Sequence, residues 1–263
     1  MTPLAGVLGF PVAHSRSPAM MNAAFEELGL DWRYVNLPVS PDRFEETARA
    51  LPGSGYRGAN VTIPHKLAAL ALADERSQAA AAIGAANTLT FLAGSIAADN
   101  TDAGGLLDAL PSRPAGRTAL VLGAGGAARA AVWALREAGA EVAVWNRTAE
   151  RAAALARELE VDHAPEPRSA DLLVNATSVG LEGQSESEQL EALPLAGADF
   201  EVVVDMPYGS APTSLVKWGD KRGATVIDGL ELLVRQGARS LERWTGRPAP
   251  LDAMRRAAAA EDV

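Results

Sequence analysis

Apolar residues along the chain fall into two patterns: blocks of about five in a row, and stretches with helical spacing, the marks of buried strands and amphipathic helices. The sharpest succession runs from Arg117 to Arg151. Thr118, Ala119, Leu120, Val121 and Leu122 form a strand-like block that breaks at Gly123-Ala124-Gly125-Gly126-Ala127-Ala128. A helix is expected over Arg129 to Ala138, closed by Gly139-Ala140. Glu141 to Trp145 form a second β-prone block, ended by Asn146-Arg147-Thr148. Beyond it, Ala149 to Leu159 reads as a helix and Asp171 to Thr177 as a strand entering a loop. Glu201 to Asp205 reads as a buried strand, Thr213 to Gly219 as a helix and Ala224 to Ile227 as the last strand. Such alternation predicts a parallel sheet in an α/β fold. Leu181 to Ala198, acidic and broken by proline, reads as a surface excursion.

The first hundred residues read as a separate α/β unit. Leu4 to Phe10 is a short strand, followed by a loop and a helix through about Leu28, with Ser17 placed to cap it ahead of Pro18. Ser15 has no such structural reason to be there, and two serines beside a helix start make a donor set suited to a carboxylate. Trp32 to Val39 is a second strand, and Pro41-Asp42 opens a helix to about Leu51. A third strand from Gly58 leads to Pro64, which is expected to start a helix with Lys66 in its first turn. The positive end of a helix dipole disfavours a cation, so the position points to a lowered pKa and acid–base work; a surface lysine would also account for it. Asp74 to Gln78 continue the polar side of that helical region, and Gly84 to Phe91 make a strand approached by small residues. Gly94 to Ala98 form a turn and short strand, and Asp99-Asn100-Thr101-Asp102 cap a helix running to Leu110. The turn formers Pro111 to Gly116 separate the two halves. After Asp228-Gly229 comes a long helix with Leu230, Leu233, Val234, Leu241 and Trp244 on one face, which leaves Gln236 off the apolar stripe.

Composition narrows the chemistry. The 263 residues, 48% of them apolar, suffice for two cores. No run approaches the ~20 uninterrupted apolar residues of a membrane span, and the start lacks a cleavable signal, so a cytoplasmic protein without a membrane partner is expected. Cysteine is absent, which excludes disulfides, thiolate metal sites and cysteine nucleophiles. A net charge of −9 argues against nucleic acid as a partner. His14, His65 and His163 are not spaced with carboxylates as a ligand set, and no metal is expected.

The glycine turn carries the first functional reading. Gly123 permits the tight turn, Gly125 removes the Cβ that would block a pyrophosphate, and the small Ala128 allows helix and strand to pack closely. With a strand before, a helix after and a second strand ending about 20 residues on, G-x-G-x-x-A reads as a dinucleotide-binding βαβ unit of Rossmann type. An enzyme that prefers NAD carries an acid at the end of the second strand; this chain has Asn146, Arg147 and Thr148 there, with Arg151 a turn further on. NADP is therefore the expected cofactor, although the two arginines are also what a solvated helix start would carry.

S-R-S-P near the start, N-V-T-I-P-H-K, G-A-A-N-T, D-N-T-D, G-A-G-G-A, N-R-T, N-A-T-S-V-G and a late G-x-x-x-L-x-x-Q occur in this order over nearly the whole chain. Together they resemble the shikimate dehydrogenase family. The resemblance implies NADPH-dependent reduction of 3-dehydroshikimate to shikimate, on the route to chorismate and the aromatic amino acids. It implies Lys66 and Asp102 as the catalytic pair. Ser15 and Ser17 would hold the substrate carboxylate, with Thr62, Asn87, Gln236 and Tyr208 completing its pocket. NADP(H) would lie against Gly123, Ala124, Gly125, Gly126, Ala127, Asn146, Arg147, Thr148 and Arg151, with Thr177, Met206 and Gly229 nearby; Thr177 also reads as a turn residue, and Met206 and Tyr208 as packing. Joining Gln236 to the first unit requires a discontinuous domain, 1–101 with 237–263, around a nucleotide domain of 102–236. The C-terminal helices, Pro250 to Ala260 included, should pack on the first unit, and a cleft between the halves would close on the reactants. A homodimer is compatible with all of this. A relative acting on quinate with NAD, or a silent ligand sensor of the same fold, would share most of these motifs; keeping both Lys66 and Asp102 argues against the sensor.

Overall fold

The computed structural model describes residues 2–180, 188, 191, 193, 195–209 and 211–260. Most of the excursion expected over Leu181 to Ala198 lies outside the described residues. The chain divides into two compact units, Met1–Gly105 with Leu233–Val263, and Leu106–Leu232. Both divisions fall inside helices rather than in linkers. Asp102 and Gln236, which the sequence boundaries assign to the second domain, thus belong to the first unit.

The first unit contains strands β1 (Leu4–Gly9), β2 (Arg33–Pro38), β3 (Tyr56–Val61), β4 (Glu75–Arg76), β5 (Thr88–Leu92) and β6 (Ser95–Asp99) in the spatial order β2-β1-β3-β5-β6-β4. β1 runs parallel to β2 and β3, while β5 is antiparallel to both β3 and β6. Helices α1 (Ser17–Glu27), α2 (Phe44–Ala50), α3 (Lys66–Leu72), α4 (Gln78–Ile83) and α5 (Thr101–Ala109) connect them. One face of the sheet packs Leu8, Ala59, Val61 and Leu89 against Phe44, Ala48, Ala69 and Leu72. The other packs Ala5, Val7 and Tyr34 against Met20, Met21 and Phe25 of α1, and against Val234, Leu241 and Met254 from the C-terminal helices. The end of the chain is therefore part of this core.

The second unit holds β7 (Thr118–Leu122), α6 (Gly126–Glu137), β8 (Glu141–Trp145), α7 (Ala149–Glu158), β9 (Asp162–His163), β10 (Leu172–Asn175), β11 (Val202–Asp205), α8 (Ser214–Lys221) and β12 (Thr225–Ile227). Helices α9 (Gly229–Thr245) and α10 (Leu251–Ala259) follow. The strand order is β12-β11-β10-β7-β8-β9, parallel throughout. Taken from β9, this is the doubly wound order of a Rossmann domain. Its strands read as unbroken apolar runs because both faces are covered. Ala119, Val121, Leu172, Val174, Val202 and Val204 face one core, while Leu120, Leu122, Leu173 and Val203 face the other.

Local chemistry departs from the sequence reading at four places. Ser17 is the first residue of α1 and makes no capping bond; instead Ser15 Oγ accepts from the Ser17 amide at 3.3 Å, so Ser15 does have a structural reason. Pro64 does not start α3, which begins at Lys66, because Thr62 to His65 form a turn closed by the His65 amide on Thr62 O at 2.9 Å. Asp74 to Gln78 leave the helix: Glu75 and Arg76 pair with β6, and Ser77 Oγ caps α4 by accepting from the Ala80 amide at 3.1 Å. At α5 the capping acceptor is Asn100 Oδ1, on the Ala103 amide at 3.3 Å, which frees the Asp102 carboxylate for other partners.

Within the first unit α5 and α9 meet backbone to backbone at Gly105, where a Cβ would stand 2.8 Å from the Gln236 nitrogen. That proximity brings the side chains of Gln236 and the start of α5 within reach of one another. Gly105→Ala is expected to lower unfolding stability by about 1–3 kcal/mol through overpacking. Urea unfolding is the measurement, and an unchanged midpoint would show that the two helices separate without penalty.

Candidate active site

In the first unit a lysine and an aspartate meet. Lys66 Nζ lies 2.6 Å from Asp102 Oδ2, with the two side chains only 14% and 15% exposed. Asp102 Oδ1 accepts from Asn87 Nδ2 at 2.8 Å, so each carboxylate oxygen has its own donor. The Asn87 amide is itself oriented, because its Oδ1 accepts from the Thr101 backbone N–H at 2.7 Å and its NH2 must then face Asp102. Gln236 Oε1 lies 3.2 Å from the same nitrogen, while Gln236 Nε2 donates to Leu233 O at 2.7 Å. Lys66, Asp102, Asn87 and Gln236 thus form one cluster drawn from α3, α5, the residue before β5, and α9.

Behind the cluster is a buried polar network that sequence reasoning missed. Tyr34 Oη donates to Asn60 Oδ1 at 2.8 Å, which turns Asn60 Nδ2 toward Ser240 Oγ, also at 2.8 Å. Ser240 Oγ lies 2.9 Å from Thr88 Oγ1 and 3.2 Å from Thr101 Oγ1. Asn60, Thr88, Thr101 and Ser240 are all buried, and hydrogen bonding among themselves offsets their desolvation. The available signal was Ser240 standing four residues after Gln236, on the same face of α9.

The serine loop and Thr62 leave the same end of the sheet, since β1 and β3 are parallel neighbours with Leu8 opposite Val61. Thr62 packs at Gly9, where a Cβ would fall 2.4 Å from its methyl group. Arg16 Nη1 donates to Ala258 O at 2.9 Å and Ala260 O at 3.0 Å, tying the serine loop to the end of α10. Ser17 is buried and Ser15 half-buried.

In the second unit the expected cofactor residues gather at the carboxyl ends of adjacent strands. Leu122 stands opposite Trp145 on one side and Asn175 on the other, and Asn175 opposite Asp205. The loops carrying Gly123 to Ala127, Asn146 to Thr148, Thr177, and Met206 with Tyr208 therefore open at one edge, where ligands bind in such sheets. The two glycines of the turn differ physically. Gly123 has φ +116° and a Cβ there would lie 2.8 Å from Ala176 O, so the fold requires it. Gly125 has extended backbone at φ −90°, and a Cβ there would meet nothing within 4 Å. No feature of the protein itself demands glycine at 125, which fits a ligand approaching the α6 amides, and α6 has no side-chain cap of its own. Arg147 and Arg151 are exposed and unpaired among the described residues, and Thr148 makes no side-chain cap at α7. The residues present thus fit a phosphorylated dinucleotide.

Two expected contacts are engaged within the protein. Thr177 Oγ1 donates to Asn175 Oδ1 at 2.7 Å and accepts from the Val179 amide at 3.1 Å, a local turn. At Gly229 a Cβ would lie 2.5 Å from both Met206 O and Pro207 O, so glycine there lets α9 start against that loop. His65 is buried, stacked on Phe44 at 4.5 Å with Nε2 2.7 Å from Val39 O. Among the described residues no group of three or more His, Asp or Glu is placed to hold a metal ion, and no helix is long and apolar enough to cross a membrane.

The buried Asp205 was also missed. It is fully enclosed, its Oδ1 accepts from Asn175 Nδ2 at 2.7 Å and its Oδ2 from the Thr213 hydroxyl. Burial pushes its carboxyl up to about 6, against the opposing pull of the Thr213 and Asn175 hydrogen bonds and with a small further rise from Asp228.

Three family models match the chain: "Shikimate dehydrogenase substrate binding domain" over residues 7–89, "Shikimate / quinate 5-dehydrogenase" over 108–179 and "Shikimate 5'-dehydrogenase C-terminal domain" over 229–259. A shikimate dehydrogenase (NADP(+)) of Methanopyrus kandleri is 42% identical, the match covering 97% of this chain and 94% of that protein. One from a strain of Thermus thermophilus is 48% identical over 91% of each. The crystal structure of shikimate 5-dehydrogenase from another strain of Thermus thermophilus, in complex with NADP(H) and shikimate, superposes with a TM-score of 0.86 at 40% identity, covering 97% of this chain and 98% of that one.

Asp205 sets a pH dependence of stability. Between its ordinary 3.8 and its folded value of about 6 the folded chain holds more proton than the unfolded one, so stability falls as pH rises through that interval. The fall is on the order of 3 kcal/mol at about 1.36 kcal/mol per pKa unit, and it levels off above the folded value. About 2 kcal/mol of the fall lies between pH 4.5 and 7.5, so in urea unfolding at these two values Asp205→Asn should decline by about that much less than the unaltered chain; parallel pH curves would contradict the assignment.

Proposed function

Because this chain belongs to the shikimate dehydrogenase family, we propose that it catalyses the NADPH-dependent, reversible reduction of 3-dehydroshikimate to shikimate, on the route to chorismate and the aromatic amino acids. The observation that carries the reading is the Lys66–Asp102 contact at 2.6 Å, with Asn87 and Gln236 beside it. The first unit is then the substrate domain and the second the NADP domain. With no described helix fit to cross a membrane, we place the reaction in the cytoplasm.

When bound, NADPH supplies the hydride and NADP+ accepts it in the reverse direction. Hydride arriving at the ring carbonyl carbon leaves negative charge on oxygen, and Lys66 as ammonium delivers the balancing proton there. Asp102 holds the ammonium in place, and Asn87 holds Asp102. In shikimate oxidation the neutral amine takes the hydroxyl proton. Ser15 and Ser17 bind the substrate carboxylate, with Thr62, Asn87, Gln236 and Tyr208 on the hydroxyl groups. Hydroxyls and amides suit a polyol acid without phosphate, since an analogue lacking a hydroxyl leaves a partner unpaired. Arg147, aided by Arg151, takes the 2′-phosphate of NADP, for which a guanidinium is the matching donor. The α6 amides and the open space at Gly125 take the pyrophosphate.

Spectrophotometric oxidation of shikimate with NADP tests the reading directly; quinate and NAD in place of either reactant should be used poorly, and equal rates with quinate and NAD would assign the chain to that activity instead. Lys66→Ala should lower kcat by roughly 10³-fold, the scale of a lost general acid–base group. Unchanged turnover in that variant would remove Lys66 from the mechanism. A paired comparison separates the two glycines. Gly123→Ala should destabilise the fold by about 1–3 kcal/mol through strain at positive φ. Gly125→Ala should leave urea stability intact while weakening NADPH binding in a fluorescence titration; full NADPH affinity in that variant would take the pyrophosphate away from this turn.

A further inference from the structure

Asp205 is a carboxylate enclosed by the protein with no cation on either oxygen among the described residues. Stability alone does not explain it, because an isolated buried charge is unfavourable and a neutral group could fill the space. Its partners show what it does mechanically. Asp205 ends β11, and its two oxygens reach Asn175 at the end of β10 and Thr213 at the start of α8. Asn175 in turn fixes the following loop, accepting from the Thr177 amide at 3.1 Å and hydroxyl at 2.7 Å and donating to Val179 O at 3.1 Å. Thr213 accepts from the Val216 amide at 3.2 Å as the cap of α8. The chain between Asp205 and Thr213 carries Met206 and Tyr208, and its first carbonyls lie against Gly229 at the start of α9. One carboxylate thus ties together two stretches, 176–180 and 206–209, at the carboxyl edge of the parallel sheet where a dinucleotide binds.

Resting on the proposed dehydrogenase reading, we infer that Asp205 is a positioning residue of the cofactor site: through Asn175 and Thr213 it holds these two loops in the arrangement that receives the nicotinamide half of NADP(H). It touches neither cofactor nor substrate and acts only through the two side chains it binds. Asn175 without the carboxylate can rotate and release the Thr177 turn, and Thr213 without it no longer ties the start of α8 to the end of β11, which removes one hold on the Met206 loop.

The test uses the full-length chain and four variants, Asp205→Asn, Asn175→Ala, Thr213→Val and Thr213→Ser. NADPH binding is followed by fluorescence, kcat and both KM values by the shikimate assay, shikimate binding by calorimetry, and folding by urea at pH 7.5. Asp205→Asn, Asn175→Ala and Thr213→Val should each weaken NADPH binding or lower kcat by about tenfold, the scale of a lost hydrogen bond to a charged group. Shikimate affinity should fall alongside it, because the Met206 loop also carries Tyr208, and Thr213→Ser, which keeps the hydroxyl, should recover most of both losses. Since a buried charge is removed, Asp205→Asn should lose cofactor affinity without losing stability at this pH, an outcome that a purely structural role would not produce. Folded Asp205→Asn and Thr213→Val proteins with NADPH affinity and kcat within twofold of the unaltered chain would overturn the inference while leaving the dehydrogenase reading intact. Failure of the unaltered chain to bind NADPH at all would overturn both.

Discussion

A lysine ammonium and an aspartate carboxylate in hydrogen-bond contact, both largely withdrawn from water, constrain the first unit more than any other feature. Taking two charges out of solvent is costly unless each is met by further donors and acceptors, and removing one partner leaves the other uncompensated. The chain meets this demand in layers. Asn87 donates to the carboxylate oxygen that Lys66 does not use, the Thr101 amide fixes which way Asn87 faces, and a closed set of hydroxyls and an amide lies behind. Few of these groups can turn without leaving a buried polar atom unpaired. The ion pair is therefore held rigidly, as the proposed role of Lys66 in proton transfer requires.

The same demand explains why the C-terminal helices belong to the first unit. Gln236 and Ser240 on α9 supply parts of the cluster that no residue of the first hundred provides, and the close crossing at Gly105 lets them do so. Val234, Leu241 and Met254 then bury the opposite side of those helices in the core with α1. A dinucleotide domain can be inserted into the chain between α5 and α9 because the ends of the insertion are anchored by helices that belong to this packing.

Much of this is legible in the sequence, for identifiable reasons. The parallel sheet of the second unit follows from apolar blocks such as Leu120–Leu122 and Val202–Val204, whose side chains are covered on both faces. Lys66, Asp102, Asn87 and Gln236 can be named from motif order, and they do share one cluster. Local chemistry is harder. Ser17 looks like a cap, but it is the first helical residue and its own amide donates to Ser15, and Pro64 looks like a helix start, but a turn carries the chain two residues further. Least legible are the groups that act at long range. Nothing near Asn60 announces that Ser240, 180 residues away, will hydrogen-bond to it, and nothing in a run of valines marks Asp205 as a joint between two loops.

In the mechanism proposed above, catalysis depends on Lys66 and Asp102 acting as one unit in proton transfer. A double-mutant cycle measures that dependence: kcat for shikimate oxidation by the unaltered chain, Lys66→Ala, Asp102→Ala and the double variant. If the pair acts together, the second substitution adds little to the first, and the double variant falls well short of the product of the single losses. Losses that simply multiply would mean that the two residues work independently, and the contact between them would not be the basis of catalysis.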